Sequence, residues 1–285
     1  MAFMTESSAI KTKTIFKRIF IYLVLILISI FMLLPFFWIL ITSFKSIAEV
    51  FTKPIIIFSR NMGLFNFINA IDRGVFIRLW NTFLIAFLAT ALRLFFCSLA
   101  GYGFAKFRFP GRNILFSVLI ASMIIPFTVT LIPLYAMMVS FRWIDTILPL
   151  IIPGAASAFG IFFMRQYIRS IPDELLDAAR VDGCSEFRIY ARIILPIITP
   201  GLISLGLIFF MQVWNDFLLP LVILKTPENQ TLPVMIASLF GLPGETNMFT
   251  VQMAISVISI TPLIIIFLIF QRRFTAGITF GAVKE

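Results

Sequence analysis

Residues 19–42 read IFIYLVLILISIFMLLPFFWILIT, with no charged side chain anywhere in the run. A helix needs about 20 apolar residues to cross about 30 Å of hydrocarbon, and this stretch supplies them. It follows Lys11, Lys13, Lys17 and Arg18. It is too long for the 7–15-residue apolar region of a signal peptide, and no small-residue cleavage pattern follows it, so it reads as a retained helix. Five further apolar runs lie near 80–102, 114–139, 146–168, 195–223 and 253–271. Hydrophobic residues make up 60% of the 285-residue chain and charged residues 13%, with mean hydropathy +1.05. Soluble domains are roughly half apolar and a quarter charged. Only helices or closed barrels satisfy their backbone groups in lipid, and continuous runs select helices over the alternating strands of a barrel. The expected fold class is all-α, a polytopic membrane protein with six transmembrane helices.

Orientation follows from Lys and Arg, which collect in cytoplasmic loops. With the N-terminus inside, 15 of the 23 fall on the cytoplasmic side and 7 outside, while Arg93 lies within a helix. The first outer loop is the counterweight, with Lys45, Lys53, Arg60, Arg73 and Arg78. Both termini are then cytoplasmic, and the protein belongs in the cytoplasmic (inner) membrane. The expected organisation is an N-tail (1–18), a first transmembrane helix (19–42), an outer loop (43–79), a five-helix transmembrane domain (80–272) and a C-tail (273–285). The net charge of +10 is explained by this loop bias, and no basic patch interleaved with aromatics points to nucleic acid. The chain has no histidine. That removes His-based acid–base chemistry, His triads and His metal ligands, and no catalytic or metal site is expected. Cys97 and Cys184 form no C-x-x-C pair and imply no disulfide framework.

The apolar runs carry Pro35, Pro126, Pro133, Pro149, Pro153, Pro200 and Pro262, tolerated where neighbours or cavities rescue the freed carbonyls. Gly154, Ala155, Ala156, Ser157, Ala158 and Gly160 are read as close helix packing. The loop between the fourth and fifth runs, 170–196, holds the local signals. Ser170 with Asp173 three residues on suggests a capping box, and Asp173 and Glu174 suit a helix N-terminus. The helix should run through Asp182 and stop at Gly183. Ser185 should cap a second helix with Phe187, Tyr190 or Ala191, and Ile194 on one face and Arg188 and Arg192 on another. Two short amphipathic helices joined at a glycine could lie on lipid headgroups or dock a soluble partner.

Asp177-Ala178-Ala179-x-x-Asp182-Gly183, followed at the right spacing by Ile193-x-Leu195-Pro196, resembles the EAA loop of type I ABC importer permeases, with Asp177 where that family usually has Glu. Gly101–Arg112, Leu131–Tyr135, Trp214–Leu221, Thr231–Pro233 and Gln271–Lys284 are similar to segments of the carbohydrate-uptake group within it. The resemblance implies the type I importer permease fold and a subunit that moves a sugar, oligosaccharide or polyol by alternating access. The loop would be a coupling element in a groove of an ABC ATPase dimer. Glu174, Leu175, Leu176, Asp177, Ala178, Ala179, Asp182, Gly183, Glu186, Leu195 and Pro196 would carry it, with Leu175, Leu176 and Ala179 as the apolar docking face. The tail 274–285, with Gly277 and Gly281, would reach the ATPases too. A second permease subunit (a heterodimer), an extracytoplasmic solute-binding protein and membrane lipid are the other implied partners. No G-x-x-x-x-G-K-[ST] loop occurs in the sequence, so no cofactor is expected on this chain. ATP would be bound and hydrolysed by the partner, and the chain is not expected to be an enzyme.

Charged groups at membrane depth default to functional hypotheses, which makes Arg93, Asn215 and Asp216 the candidate pathway residues. Asp216, some way into the fifth run beside Trp214, is expected near the outer interface as an anchor, at a depth that does not match Arg93. Competing readings keep the machinery for an amino acid, a peptide or glycerol phosphate, or replace it with an ion-coupled transporter. The latter calls for paired intramembrane carboxylates or discontinuous helices in repeated halves, neither evident in the sequence. An intramembrane enzyme would need His, paired Asp or a metal set.

Overall fold

The computed structural model describes residues 2–52, 57–58, 62–239 and 248–279, with side chains described from residue 15 to residue 271. Among these there is no β-strand. The helices in chain order are α1 (Ala2–Ser43), α2 (Ile47–Val50), α3 (Phe65–Asp72), α4 (Val75–Lys106), α5 (Arg112–Ser122), α6 (Phe127–Ser140), α7 (Leu148–Ile151), α8 (Ala158–Arg169), α9 (Asp173–Val181), α10 (Glu186–Ile189), α11 (Leu195–Trp214), α12 (Leu218–Ile223), α13 (Leu232–Ser238) and α14 (Met248–Thr279). They fall into two compact units. One holds the chain up to Ala70 with α14 through Val257; the other starts at Ile71 and takes α14 from Ile258.

In the first unit, α1 leaves almost every apolar side chain from Ile15 to Leu40 exposed, as a helix bathed by lipid or by another subunit would. Its C-terminal end is tied down by Asn66. This buried amide donates to the carbonyls of Ser43 (2.9 Å) and Lys45 (2.8 Å) and accepts from the Thr250 hydroxyl (2.9 Å). Lys45, also buried, places its ammonium 5.0 Å from the Trp38 ring centroid.

In the second unit, α4 is the spine, and α8 and α11 pack along it. Glycines set the separation. A Cβ on Gly101 would lie 2.7 Å from Met164 Cβ, and one on Gly160 would lie 2.6 Å from both Cys97 Sγ and Phe209 Cζ. Small residues at such crossings replace the hydrophobic drive that is missing in lipid, so Gly160 has the packing role expected of it. The core along this seam includes Cys97, Met164, Ile168, Leu205 and Phe209.

Among the described residues, four helices are long and apolar enough to cross a membrane: Ile15–Ser43, Val75–Lys106, Glu186–Trp214 and Met248–Gln271. The other two expected spans are discontinuous, and the fifth run extends past its span. The run at 114–139 is α5 and α6, bent by 98° where Pro126 takes the N-cap of α6. A proline pushes the residue before it out of the helical region, which ends α5 there. The run at 146–168 is the single turn α7, a break through Pro153 and Gly154, and then α8. The run at 195–223 is α11, which stops at Trp214, and α12. Broken helices, not evident in the sequence, are thus present, and four of the six expected spans are uninterrupted among the described residues. A proline's lost amide and the clash of its ring end or divide a helix, whatever the hydropathy of the run.

Outside the helices, Arg142 and Asp145 adopt positive φ (58° and 62°), a region non-glycine residues avoid. Asp145 is held there by a clamp. Its carboxylate accepts from the Lys225 and Thr226 amides and the Thr226 hydroxyl, and Asn229 donates to its carbonyl. These bonds, the one from the Thr226 hydroxyl foremost, hold its pKa down to about 2.

Candidate functional site: a coupling loop and an intramembrane cavity

The first helix of the 170–196 loop starts two residues later than a Ser170 cap would place it. Ser170 ends α8, donating its hydroxyl to Tyr167 O at 2.7 Å, and Pro172 takes the N-cap of α9 without a side-chain bond. Pro172 forces Ile171 out of the helical region, so α8 must stop and the capping box does not form. The other end is as expected. The amide of Cys184 donates to Ala179 O and that of Gly183 to Arg180 O, with Gly183 at φ 76°. This is the Schellman pattern that closes a helix through a left-handed residue. Ser185 occupies the N-cap of α10 with extended backbone, but its side chain makes no cap bond. After one turn, α10 passes through a π-helical turn, Tyr190–Ile194, into α11. Pro196 cannot donate to Arg192 O and its ring crowds that carbonyl, which locates the π turn just before it. The loop and the fifth membrane segment are one continuous helix, Glu186–Trp214.

The faces of the loop differ from the expected docking surface. Leu176 is 1% exposed and Ala179 7%, both packed with Ile168, Ile171 and Ile189 in the subunit's own core. Leu175 is 44% exposed and Val181 88%. The outward face of α9 is therefore Glu174, Leu175, Asp177, Ala178 and Val181, with Asp182 after it. In α10 and the π turn, Ile189, Tyr190 and Ile194 are buried, whereas Phe187 is 69% exposed. The π turn advances the register, so Phe187 does not share the buried face.

Glu186 is the hub that ties the loop to α4. Tyr102 Oη donates to its Oε2 at 2.8 Å, and Arg180 Nε donates to its Oε1 at 2.7 Å while Arg180 also bonds Asp177 at 2.8 Å. One turn beyond Tyr102, Lys106 Nζ bonds Ile171 O and Asp173. One turn before it, Ser98 Oγ and Tyr190 Oη lie 2.7 Å apart. The bond from Arg180, with that from Tyr102, holds Glu186 below the usual carboxylate range; Lys106 does the same for Asp173. Arg180 is shifted upward by Glu186 and then by Asp177. The sequence reading missed Tyr102, Lys106 and Arg180 as partners of the loop. The i, i+4 spacing of Ser98, Tyr102 and Lys106, which puts them on one face of a helix, was the available signal.

The second feature is a cavity of about 480 Å³ within the second unit, lined by Arg93, Asp216, Thr82, Thr130, Gln212 and Thr231 among apolar side chains. The three breaks converge on it: Phe127 after the first, Pro153 and Gly154 at the second, and Asp216, Leu219 and Pro220 at the third. Irregular backbone at membrane depth is tolerated where it is buried in protein or lines a cavity. Arg93 reaches it across Phe209, 5.6 Å from the ring centroid, and packs so closely on Gly154 that a Cβ there would lie 2.5 Å from a guanidinium nitrogen. Arg93 and Asp216 are close enough to interact electrostatically. The expected mismatch in depth between them is therefore corrected: α11 ends at Trp214, and Asp216 lines the same cavity as Arg93. Nor is Asp216 the expected interfacial anchor, since it lines the cavity; Trp214 beside it is 1% exposed and donates to Ser259 O at 3.2 Å. Asn215 does not line the cavity; its amide caps α11 by donating to Met211 O at 2.8 Å. Gly277 lies in the helical backbone of α14, and Gly281 and the rest of the tail from residue 280 lie outside the described residues.

Apolar, broken helices around a cavity that holds an arginine and an aspartate, with a surface loop fused to one of them, define an integral membrane protein. Residues 94–280 match the family of binding-protein-dependent transport system inner membrane components, and the chain belongs to that family. It is 36% identical over 271 residues to the arabinooligosaccharides transport system permease protein AraQ of Bacillus subtilis, covering 94% of this chain and 96% of that one. It is 31% identical over 265 residues to the lactose transport system permease protein LacG of Rhizobium radiobacter, covering 92% and 95%. Among solved structures, a chain of a bacterial ABC transporter involved in the import of the acidic polysaccharide alginate superposes with TM-score 0.80 and 26% identity, over 90% of this chain and 97% of that one. The chain is a multi-pass permease of the inner membrane and not itself an enzyme.

Proposed function

We propose that this chain is the membrane-spanning permease subunit of an ATP-driven importer for a sugar, oligosaccharide or polyol, coupled to a separate ATPase dimer through residues 170–196. The observation that carries the reading is the loop itself. A helix closed at Gly183 is latched to α4 through Glu186 and Lys106, and continues without a break into α11. A rigid element of this kind transmits displacement, as a two-state coupling device requires. The outward face Glu174, Leu175, Asp177, Ala178, Val181 and Asp182 is the ATPase contact. Leu176, Ala179, Gly183, Glu186, Leu195 and Pro196 shape and hold it, and the tail around Gly277 and Gly281 adds a second contact. The solute class is supported by relatives named for transport of arabinooligosaccharides, lactose and starch degradation products. A second permease and an extracytoplasmic binding protein complete the assembly, with both termini cytoplasmic. No specific observation favours an amino-acid or peptide cargo. The test is co-purification followed by reconstitution: an ATPase and a second permease come down with this chain, and uptake into proteoliposomes stops when the ATPase is left out. Uptake that persists without it sinks the reading.

A further inference from the structure

We infer that this subunit carries a solute subsite of its own, the cavity between Arg93 and Asp216, and that it holds an uncharged polyhydroxylated unit through neighbouring hydroxyls. The inference rests on the importer reading above and adds where the solute is held and what chemistry is accepted.

Unused hydrogen-bonding capacity points to a ligand. Thr231, a lining residue 3% exposed, has a buried hydroxyl with no hydrogen-bond partner; Arg93 Nε is likewise buried and unpartnered. Buried polar atoms are almost always satisfied by protein, water or ligand, and leaving them empty is costly in a low-dielectric site. The charges then choose the ligand. A guanidinium only donates and an ionised carboxylate only accepts. A hydroxyl pair on adjacent carbons does both, so it bridges a donor fork facing an acceptor. A carboxylate-bearing solute would gain from Arg93 but meet Asp216, and a cationic one the reverse. With one charge of each sign the cavity favours a neutral guest. Its remaining wall includes Phe127, Pro153 and Leu219, apolar surface suited to the C–H faces of a sugar ring.

The test uses the complete assembly of both permeases, ATPases and binding protein in proteoliposomes, with radiolabelled arabinotriose, lactose and maltotriose as probes. The readout is probe moved per ATP hydrolysed at saturating probe. Arg93→Gln, Asp216→Asn and Thr231→Val should each lower that ratio for the transported probe. The two charge variants should do so at least tenfold, as expected when a buried charged hydrogen bond is lost. Asn215→Ala, outside the cavity, should leave it within twofold. Charge variants that keep the wild-type ratio overturn the subsite while leaving the importer reading intact. If digalacturonate is moved as well as the best neutral probe, the uncharged class is wrong. If the wild-type assembly moves none of the three neutral probes, the sugar reading fails and this inference fails with it.

Discussion

Leu175 and Leu176 are adjacent, chemically identical and assigned opposite jobs by the structure. Truncating each to alanine therefore separates folding from docking. Leu176 is 1% exposed and packed in the core beneath α9. Its loss removes transfer energy and leaves a cavity, about 2–5 kcal/mol in well-packed sites. Leu175 is 44% exposed, so only part of the roughly 1.5–3 kcal/mol for full burial is at stake, about 1 kcal/mol. Thermal unfolding of the purified permease in detergent should show Leu176→Ala several degrees below wild type, since about 1 kcal/mol corresponds to about 2–4 °C in larger domains. Leu175→Ala should stay within about 3 °C by the same scaling. Affinity for the isolated ATPase, measured by titration on immobilised permease, should reverse the order for permease that remains folded: Leu175→Ala weakens it and Leu176→Ala does not. Equal destabilisation by both, or a Leu176→Ala protein of normal stability that no longer binds ATPase, would refute the assignment of the two faces.

Three further outcomes are expected. Gly183→Ala should cost about 1–2 kcal/mol, because nothing crowds the site and the penalty is that of a left-handed backbone with a Cβ; Gly183→Asn should cost less, and ATPase binding by the two variants checks the order. Gly160→Ala should be destabilising by about 1–3 kcal/mol from overpacking, since its Cβ meets Cys97 and Phe209 at 2.6 Å, and a lower unfolding temperature would report it. Glu186 and Asp173 both sit below their ordinary pKa values, held there by Arg180 and Lys106. Their contribution is present above the unfolded carboxylate range of about 3.9–4.3 and is lost as pH falls through the lowered folded values. A Glu186→Gln variant should show a shallower acid loss of thermal stability than wild type across that window.

Hydropathy made the membrane class legible, and Gly183 made the helix end within the candidate coupling loop legible, because both are local in sequence. The bend at Gly183 followed from a residue type that alone adopts its conformation at little cost. What failed was non-local or competitive. Ser170 and Asp173 had the right spacing for a capping box, but Pro172 between them decided where one helix ended and the next began. Leu175, Leu176 and Ala179 were all apolar, and apolarity alone does not say which faces the chain's own core. The runs at 114–139, 146–168 and 195–223 looked continuous because a hydropathy average does not register a proline or a break in the helical backbone. That averaging also hid the cavity. Arg93 and Asp216 seemed mismatched in depth only while the fifth run was drawn as one straight helix.

The loop and the cavity share the same two structural members. α4 carries Ser98, Tyr102 and Lys106, which grip the loop, and also Arg93, which is 13 residues and about 20 Å from Lys106 at the usual helical rise. The continuous helix Glu186–Trp214 carries Glu186 and Tyr190 at the gripped end and leads at the other into Asp216. A displacement of that helix along α4 therefore acts at both ends: it strains the Tyr102–Glu186 and Ser98–Tyr190 bonds and changes the separation of Arg93 from Asp216. The π turn at Tyr190–Ile194 lies just beyond the grip. A π turn within a helix often marks a hinge or functional site, so some of that displacement can be absorbed as local rewinding. The strongly packed seam of Gly101 and Gly160 keeps α4 and α8 together as one body. The helix fused to the coupling loop joins the same seam, with Phe209 against Gly160 and Gly201 against the Tyr167 ring, so a displacement of it must repack these contacts.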